Sequence, residues 1–539
     1  RTMEELPTEL NIVTLNCWGL KFISKLRNER LTEIGRQLAI ADPSPHIVCL
    51  QECFTQEDYK AIRRETRFIL PYGKFYFSGP FGGGLAILSK WPIEESTLFR
   101  YPLNGRPTAF WRGDWYVGKG VACAKIRYGP AAKQVIEVFC THTHSPYEAG
   151  QPDDSYLAQR LAQSWEISKL LRGAAERGHL VLGCGDFNMI PMSLEHQLVT
   201  ANTPVRDVWR VLHPDSSLGP ADHPAEKARR RPIPTAGFNI EENGAASDGP
   251  YCTWRWTKEQ QKLLGPGKPP VTVPPDTIDR RGKRLDYIFA GSGDIASLNG
   301  GWVVKAARVG MMMRHPELGC SLSDHFAVEA TLAFHPLSSS SAQSSSKAPP
   351  NGNKPAPADE SLILKAPPKI RQPGQDDAST IPDTDDKYVQ DGTYLQSPTP
   401  SSIRDNSSFD AQLLSFLTAD HLQLPTSAYD FILQEIHKYR LREEKQKKWR
   451  GWHFLGSLAV LVGCLVGVWW SPANYVAFVL VLVSSLSLVA GTVDGLMSLL
   501  FFRSELGALR EFEWEVVNAK LSAGGGVPTA DGEGEERGW

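Results

Sequence analysis

The chain has 539 residues, a formal net charge of −2, 41% hydrophobic and 22% charged residues. These values exclude a collagen-like, wholly disordered or disulfide-scaffold protein and a globally basic nucleic-acid binder, and the length allows several domains. Nine cysteines, odd in number, scattered and without a CxxC pair, fit reduced thiols facing a cytosol rather than a secreted framework or a zinc site.

Residues 1–335 read as one long α/β domain, with no signal-peptide pattern in the polar stretch TMEELPTEL. Strands are predicted, in order, at Asn11–Trp18, His46–Glu52, Leu85–Lys90, Val121–Tyr128, Val135–His144, Leu180–Phe187, Arg284–Gly291 and Phe326–Phe334. Helical periodicity marks Asn28–Ile40, Gln56–Arg67 and Asp154–Leu171. Strands bunch in hairpin-like pairs as well as alternating with helices, which favours a mixed-sheet sandwich flanked by helices over a doubly wound sheet. Gly82-Gly83-Gly84 predicts a tight turn before a strand rather than a phosphate cradle. Residues 213–282, rich in Pro, Gly and charge (RRRPIPT, LLGPGKPPVTVPP), predict an inserted surface loop.

Residues 336–409 predict a disordered linker. SSSSAQSSSKAPPNGNKPAPA has almost nothing to bury, and Arg371–Asp410 carries eight Asp against three basic residues. A basic, helical juxtamembrane segment is expected at 410–450, two spans at 451–502, and a cytosolic tail at 503–539 with an amphipathic, surface-lying Arg503–Leu521. The apolar runs are Phe454–Trp470, with 17 uncharged residues, and Tyr475–Val493, with 19, split by the turn Ser471-Pro472-Ala473-Asn474. About 20 apolar residues cross a bilayer, so the pair predicts a transmembrane hairpin. Trp449, Trp452, Trp469, Trp470 and Tyr475 fall at its ends, where amphipathic rings favour the interface. KYRLREEKQKKWR (438–450) holds seven basic and two acidic residues, which places both flanks, and the catalytic domain, in the cytosol. The same run would attract anionic phospholipid, a candidate activator, at about 1 kcal/mol per charge. Asp494 is expected at the interface or in a functional role. Two modest spans suit a thin intracellular membrane, with the endoplasmic reticulum and the mitochondrial outer membrane as the expected locations.

Polar groups end or interrupt the hydrophobic strands of the first domain: Asn16 in VTLNCWG, Glu52 in VCLQECF, His142 in VFCTHTH, Asp186 and Asn188 in LGCGDFNMIP, Asp286 in RLDYIF, and Asp324-His325 in LSDHFAV. Hard oxygen ligands of this kind suit Mg²⁺ and not zinc. A His beside an Asp offers a base and a second His an acid, the set that metal-assisted phosphoester hydrolysis requires. Singly, an Asp at a strand end is more often a turn residue or helix cap, so the signal lies in the combination.

The ordered series LNCW, LQE, THTH, GDFN, RLDYIF and SDH resembles the endonuclease/exonuclease/phosphatase superfamily over residues 10–335. Within it, LNCWGLKFISKLRNERL, GDFNMIP and AFWRGDWYVGKGVA, with the C-terminal spans, resemble the neutral sphingomyelinase and inositol phosphosphingolipid phospholipase C branch, its fungal members above all. The resemblance implies a DNase I-like four-layer α/β sandwich plus a C-terminal two-helix transmembrane hairpin. It also implies a Mg²⁺-dependent phospholipase C releasing ceramide and a phosphorylated headgroup from inositol phosphosphingolipids or sphingomyelin. Carried over, Glu52 binds Mg²⁺ with Asn16 nearby, and Asp186 and Asn188 hold the attacking water and phosphoryl oxygens. His325 is the base oriented by Asp286, Asp324 supports the metal site, and His142 donates to phosphate or the leaving alkoxide. His144 departs from the pattern, since relatives often carry an amide there.

GDWYVGKG (113–120) nearly satisfies GxxxxGK[ST], but Gly120 replaces the hydroxyl and a strand follows, so nucleotide binding is not expected. The resemblance instead implies a mobile loop in which Asp114 and Lys119 pair, with lipid-dependent rearrangement; a surface salt bridge of small worth is the plain alternative. Phe22, Phe81, Phe110 and Trp111 line either a lipid approach surface or the core. Three other readings stay open: a nuclease or deadenylase, an inositol polyphosphate 5-phosphatase, or a catalytically dead membrane scaffold. The hairpin and GDFNMIP argue against the first, and RLDYIF in place of CDRxxW against the second.

Overall fold

A computed structural model describes residues 6–147, 154–337 and 424–524. The expected linker therefore lies almost wholly outside the described residues, as do the starts of the juxtamembrane segment and the end of the tail. Two six-stranded mixed sheets form the first domain. The first holds β1 (Glu9–Asn16), β2 (Ile47–Gln51), β3 (Tyr72–Tyr76), β4 (Leu85–Ser89), β11 (Gly300–Gly310) and β12 (Ala327–Pro336), in the order β11-β12-β1-β2-β4-β3. The second holds β5 (Ile93–Arg100), β6 (Gly120–Arg127), β7 (Val135–His142), β8 (Leu180–Asp186), β9 (Arg206–Asp207) and β10 (Asp286–Gly291), in the order β5-β6-β7-β8-β10-β9. Each sheet has one parallel pair at its centre, β1 with β2 and β7 with β8, and antiparallel neighbours outside.

Every second residue of the central strands faces the opposite sheet. Ile12, Ile47, Cys49 and Ile87 of one meet Ala122, Val138, Cys140 and Leu182 of the other in a common core. The alternate residues face helices. On the first sheet Val13, Leu15, Val48 and Leu50 pack against Leu31, Ile34 and Leu38 of α1 (Arg27–Ala39) and Ile62 of α2 (Gln56–Thr66). Thr55 caps α2 by accepting the Asp58 N–H. On the second sheet Phe139, Val181 and Phe289 pack against Ile167 and Leu171 of the long helix Leu157–Glu176. Helix, sheet, sheet, helix is the expected four-layer sandwich, with strands buried on both faces at its centre.

All eight predicted strands form. The four that sequence patterning missed, β3, β5, β9 and β11, include every edge of both sheets. The reasons differ: β5 (IEESTLFR) is largely exposed, and β11, though half buried, carries a register shift between Val304 and Ala306 that breaks its alternation. The 213–282 segment is less loop-like than its composition suggests. Its stretch from Asn243 to Thr253 is largely buried, with Ala246 and Cys252 in the intersheet core, and Ser247 bridges both Lys283 and His325.

Two further helices, α3 (Asp114–Val117) and α4 (Leu157–Glu176), frame the domain's link to the C-terminal region. There α5 (Thr426–Val468) runs without a break from the basic segment through the first apolar run. After the turn, α6 (Asn474–Leu496) returns beside it, and a π-helical turn at Met497–Phe501 leads into α7 (Phe502–Ala523). The expected surface-lying tail helix is not observed. Leu506, Leu509, Phe512 and Val516 of α7 are buried with Ile432 and Ile436 of α5 against Leu161 and Trp165 of α4. A helix with an apolar stripe buries it on protein when a complementary stripe is near, and α4 supplies one. Asp494 is an interhelical partner, paired with Arg450 and His453 across the hairpin.

Candidate active site

The site lies where the parallel strands of both sheets end. β1 and β2 stop at Asn16 and Gln51, β7 and β8 at His142 and Asp186, and β10 starts at Asp286 opposite Asp186. The Ser323–His325 turn enters β12 beside them. Residues as far apart in sequence as Asn16 and His325 thus converge because six strands share one end. The β7–β8 pair is drawn close by Gly185, at φ 147°, where an added Cβ would lie 2.0 Å from the Thr141 carbonyl oxygen.

Asn16 Nδ2 lies 3.1 Å from both Glu52 Oε1 and Asp186 Oδ2, bridging the two sheets, while its Oδ1 accepts the Trp18 N–H. Glu52 leaves β2 with φ 53°, an uncommon conformation for a long side chain that turns its carboxyl into the site. Burial, with the Asp324 carboxylate beside it, pushes Glu52 up to about 7. His325 Nδ1 bonds Asp286 Oδ2 at 2.7 Å, and its Nε2 lies 4.0 Å from Asp186 Oδ2. His142 Nε2 approaches the same oxygen at 3.7 Å from the other side. Asn188, at φ 47°, donates its backbone N–H to Asp186 Oδ1 and its side-chain N–H to the Thr143 carbonyl. Asp324 is half-buried, with Ser323 Oγ 3.4 Å from its Oδ1.

The two histidines differ electrically. Burial and the Lys119 ammonium press His142 down to about 3, so it stays a neutral imidazole. Burial works against the charged form of His325 too, but Asp286, Asp186 and Asp324 outweigh it and hold His325 well above the ordinary range. Asp286 is itself raised by burial while the His325 ring pulls it back down, so the two groups titrate as a pair across their 2.7 Å hydrogen bond. A neutral His142 ring can still donate a hydrogen bond through a ring N–H.

Asp114 and Lys119 lie together behind His142, with Lys119 Nζ 3.4 Å from Asp114 Oδ1 and donating to the Thr143 carbonyl at 2.9 Å. They are buried, not a surface pair. His144, set aside in the sequence, completes a trio: its Nε2 lies 3.6 Å from Asp114 Oδ2 and its ring stacks on Tyr156. Burial disfavours the Asp114 carboxylate, yet Lys119 and His144 together hold it low. Patterning overlooked Thr143, whose carbonyl receives Lys119 and Asn188 and whose hydroxyl donates to the Phe187 carbonyl. A threonine acting through its backbone leaves no signal in side-chain chemistry.

The donor set suits a hard cation. Glu52 Oε2 and Asp286 Oδ1 are buried oxygens without a hydrogen-bond partner, and Asp186, Asp286 and His325 present ligand atoms within 4.8 Å of one another. Buried carboxylate oxygens with free lone pairs fit a hard divalent ion.

The Endonuclease/Exonuclease/phosphatase family model matches residues 13–325. The chain belongs to this family. Every motif residue above falls in the matched span. An inositol phosphosphingolipids phospholipase C of Schizosaccharomyces pombe is 40% identical over 333 residues, 62% of this chain and 70% of the relative. The protein of the same description in Saccharomyces cerevisiae is 30% identical over 538 residues, 95% of this chain and 90% of the relative. Sphingomyelin phosphodiesterase 2 of Homo sapiens is 34% identical over 200 residues, 37% of this chain and 46% of the relative. Within the endonuclease/exonuclease/phosphatase family, these relatives place the chain in the sphingolipid phospholipase C branch. The Saccharomyces match extends through the C-terminal helices as well as the catalytic sandwich.

Proposed function

We propose that this protein is a membrane-anchored, Mg²⁺-dependent phospholipase C that cleaves inositol phosphosphingolipids to ceramide and a phosphorylated headgroup. The observation that carries the reading is the buried His325–Asp286 pair facing Asp186 and His142, in a chain whose relatives carry that description. Glu52, with Asn16 beside it and Asp324 near, would hold Mg²⁺, which when bound offsets negative charge on the phosphoryl oxygens.

The remaining chemistry belongs to the chain. His325 Nε2 takes a proton from the attacking water, its ring fixed through Nδ1 by Asp286. Neutralising Asp186 and Asp324 loosens their hold on the His325 proton, and so favours the neutral imidazole that a base requires. Asp186, within 4.0 Å of both histidines, orients the water, and Asn188 holds a phosphoryl oxygen. Water oxygen bonds to phosphorus as the bond to the ceramide oxygen breaks; the departing alkoxide takes up a proton from solvent, and His325 returns the proton it took to solvent. Neutral His142 donates a hydrogen bond to phosphate or to that oxygen. Asp114 and Lys119 set the loop that borders the site.

The hairpin of α5 and α6 supports anchoring. Each of the two carries an apolar stretch long enough to cross a bilayer, and those stretches are 11% buried in the protein. The flanking cations support a cytosolic catalytic domain, and the proposed membrane is that of the endoplasmic reticulum or the mitochondrial outer membrane. Arg440, Arg442 and Arg450 pair with Glu513, Glu443 and Asp494, so an activating anionic phospholipid would meet chiefly Lys445, Lys447 and Lys448. A tethered enzyme searches for its lipid in two dimensions at high effective concentration.

Ceramide release from inositol phosphoceramide and from sphingomyelin, with and without Mg²⁺ and anionic lipid, tests the proposal. Release from the inositol lipid that is Mg²⁺-dependent and lost by about 10²–10⁴-fold in His325→Ala and Glu52→Ala is expected. Preference for sphingomyelin would overturn the headgroup assignment, and an undiminished Glu52→Ala variant would overturn the site.

A further inference from the structure

The loop that carries Asp114 also carries two exposed aromatic side chains, and a third stands beside it on the β3–β4 connection. Phe110 and Trp111 lie in a 3-10 turn just before α3, 62% and 79% exposed, and Phe81 beside them is 51% exposed. The rings of Phe81 and Phe110 belong to a chain of ring contacts. Phe81 and Phe110 each pack on Tyr116 (5.4 and 5.1 Å between centroids), Tyr116 on Trp115 (5.0 Å), and Trp115 on Phe501 (6.0 Å).

Phe501 closes the π-helical turn that ends the second apolar helix. Leu496, Leu499 and Leu500 around it are more than half exposed, and Trp449 and Trp452 of α5 are about 70% exposed. A bilayer holding the hairpin must end near these residues, where the indole rings and Arg450 and Arg503 fall. A cavity of ≈ 420 Å³ lined by Pro102, Gly105, Trp115, Leu496, Leu500 and Phe501 joins the loop to that same level. The aromatic chain therefore starts at the membrane boundary and ends at Lys119's loop, beside the catalytic histidines. Contiguous exposed aromatics on a water-facing surface are unfavourable and mark a contact.

We propose that Phe81, Phe110 and Trp111 form a second membrane contact, inserted at the headgroup–acyl boundary of the bilayer that holds the hairpin. The occupant is a lipid surface because the ring chain is continuous with the membrane-crossing helices. The contact would seat the mouth of the site on the plane that contains the scissile phosphoester. It rests on the membrane reading of α5 and α6.

The test uses the full chain in phosphatidylcholine–phosphatidylserine vesicles, with an environment-sensitive fluorophore on Trp111→Cys, on Glu259→Cys in the exposed insertion, and on Leu482→Cys in the hairpin. Labelling of the unsubstituted chain supplies the background. Quenching of the 111 label by nitroxides placed shallow in the lipid, with the 259 label quenched by aqueous iodide alone, is expected. In addition, Phe110→Ala/Trp111→Ala should lower turnover of bilayer substrate about tenfold, through a mispositioned site, but lower it less than twofold for the same lipid in detergent micelles. Iodide reaching 111 while deep nitroxides quench 482 overturns the second contact and leaves the anchor standing. Iodide reaching both overturns the membrane reading and the contact with it. Equal losses in vesicles and micelles also overturn the contact.

Discussion

Glu52 leaves its strand in a left-handed conformation, so its carboxyl points back between the sheets, where Asn16 reaches one oxygen and Asp324 repels the whole group. Raised to about 7, its acid form is favoured in the fold and its charged form in the unfolded chain. With no cation present, this group makes stability fall as pH rises from the ordinary carboxylate range toward 7, because the unfolded chain releases its proton first. A divalent cation needs the carboxylate, so binding expels the proton below pH 7. Mg²⁺ should therefore bind roughly tenfold more weakly at pH 6 than at pH 8. Thermal-shift titrations of the full chain at the two pH values measure this, and Glu52→Gln should abolish the difference. The motif residues were legible because each stands as a polar group at the end of an apolar run. The Glu52 backbone angle and the His144–Asp114 contact were not, because neighbours distant in sequence impose them.

At the scale of elements, the central strands and α1, α2 and α4 announced themselves because burial on one or both faces dictates their residues. Edge strands β3, β5, β9 and β11 did not: β5 is largely exposed, β9 has two residues, β3 buries only its end, and a register shift interrupts the alternation of the well-buried β11. The final helix α7 showed its apolar stripe in the sequence but not its partner. That partner is protein: Tyr439 Oη accepts from Arg106 and Gln159 and donates to Glu505, and Trp165 Nε1 donates to Glu515. Such a buried polar network fixes how α5 and α7 seat on the catalytic domain. Leu509, fully buried there, should cost about 2–5 kcal/mol of docking when changed to Ala. Faster protease cleavage within α7 of the detergent-solubilised chain would report it, with exposed Glu511→Ala as the unchanged control.

At the scale of the whole molecule, α4 is an interior helix: one face covers the second sheet, the other the C-terminal helices. A chain ending at residue 337 would expose Leu161 and Trp165 together. It should self-associate, seen as loss of the monomer peak in size-exclusion chromatography with light scattering, and Leu161→Glu should recover that peak. A monodisperse truncated chain would show that the docking is dispensable for the domain's solubility. The apolar C-terminal helices and the sandwich are thus one packed body in spite of the long polar stretch between them in sequence.

The sequence by itself determined the family, the sandwich, the polar side chains that gather at one end of the strands and two apolar helices, because each is written in local periodicity or in short ordered motifs. The tertiary structure alone decided where the C-terminal helices sit, which histidine keeps a proton, and how the aromatic loop meets the hairpin. Those depend on contacts between residues hundreds of positions apart, whose distances and fields no local pattern encodes.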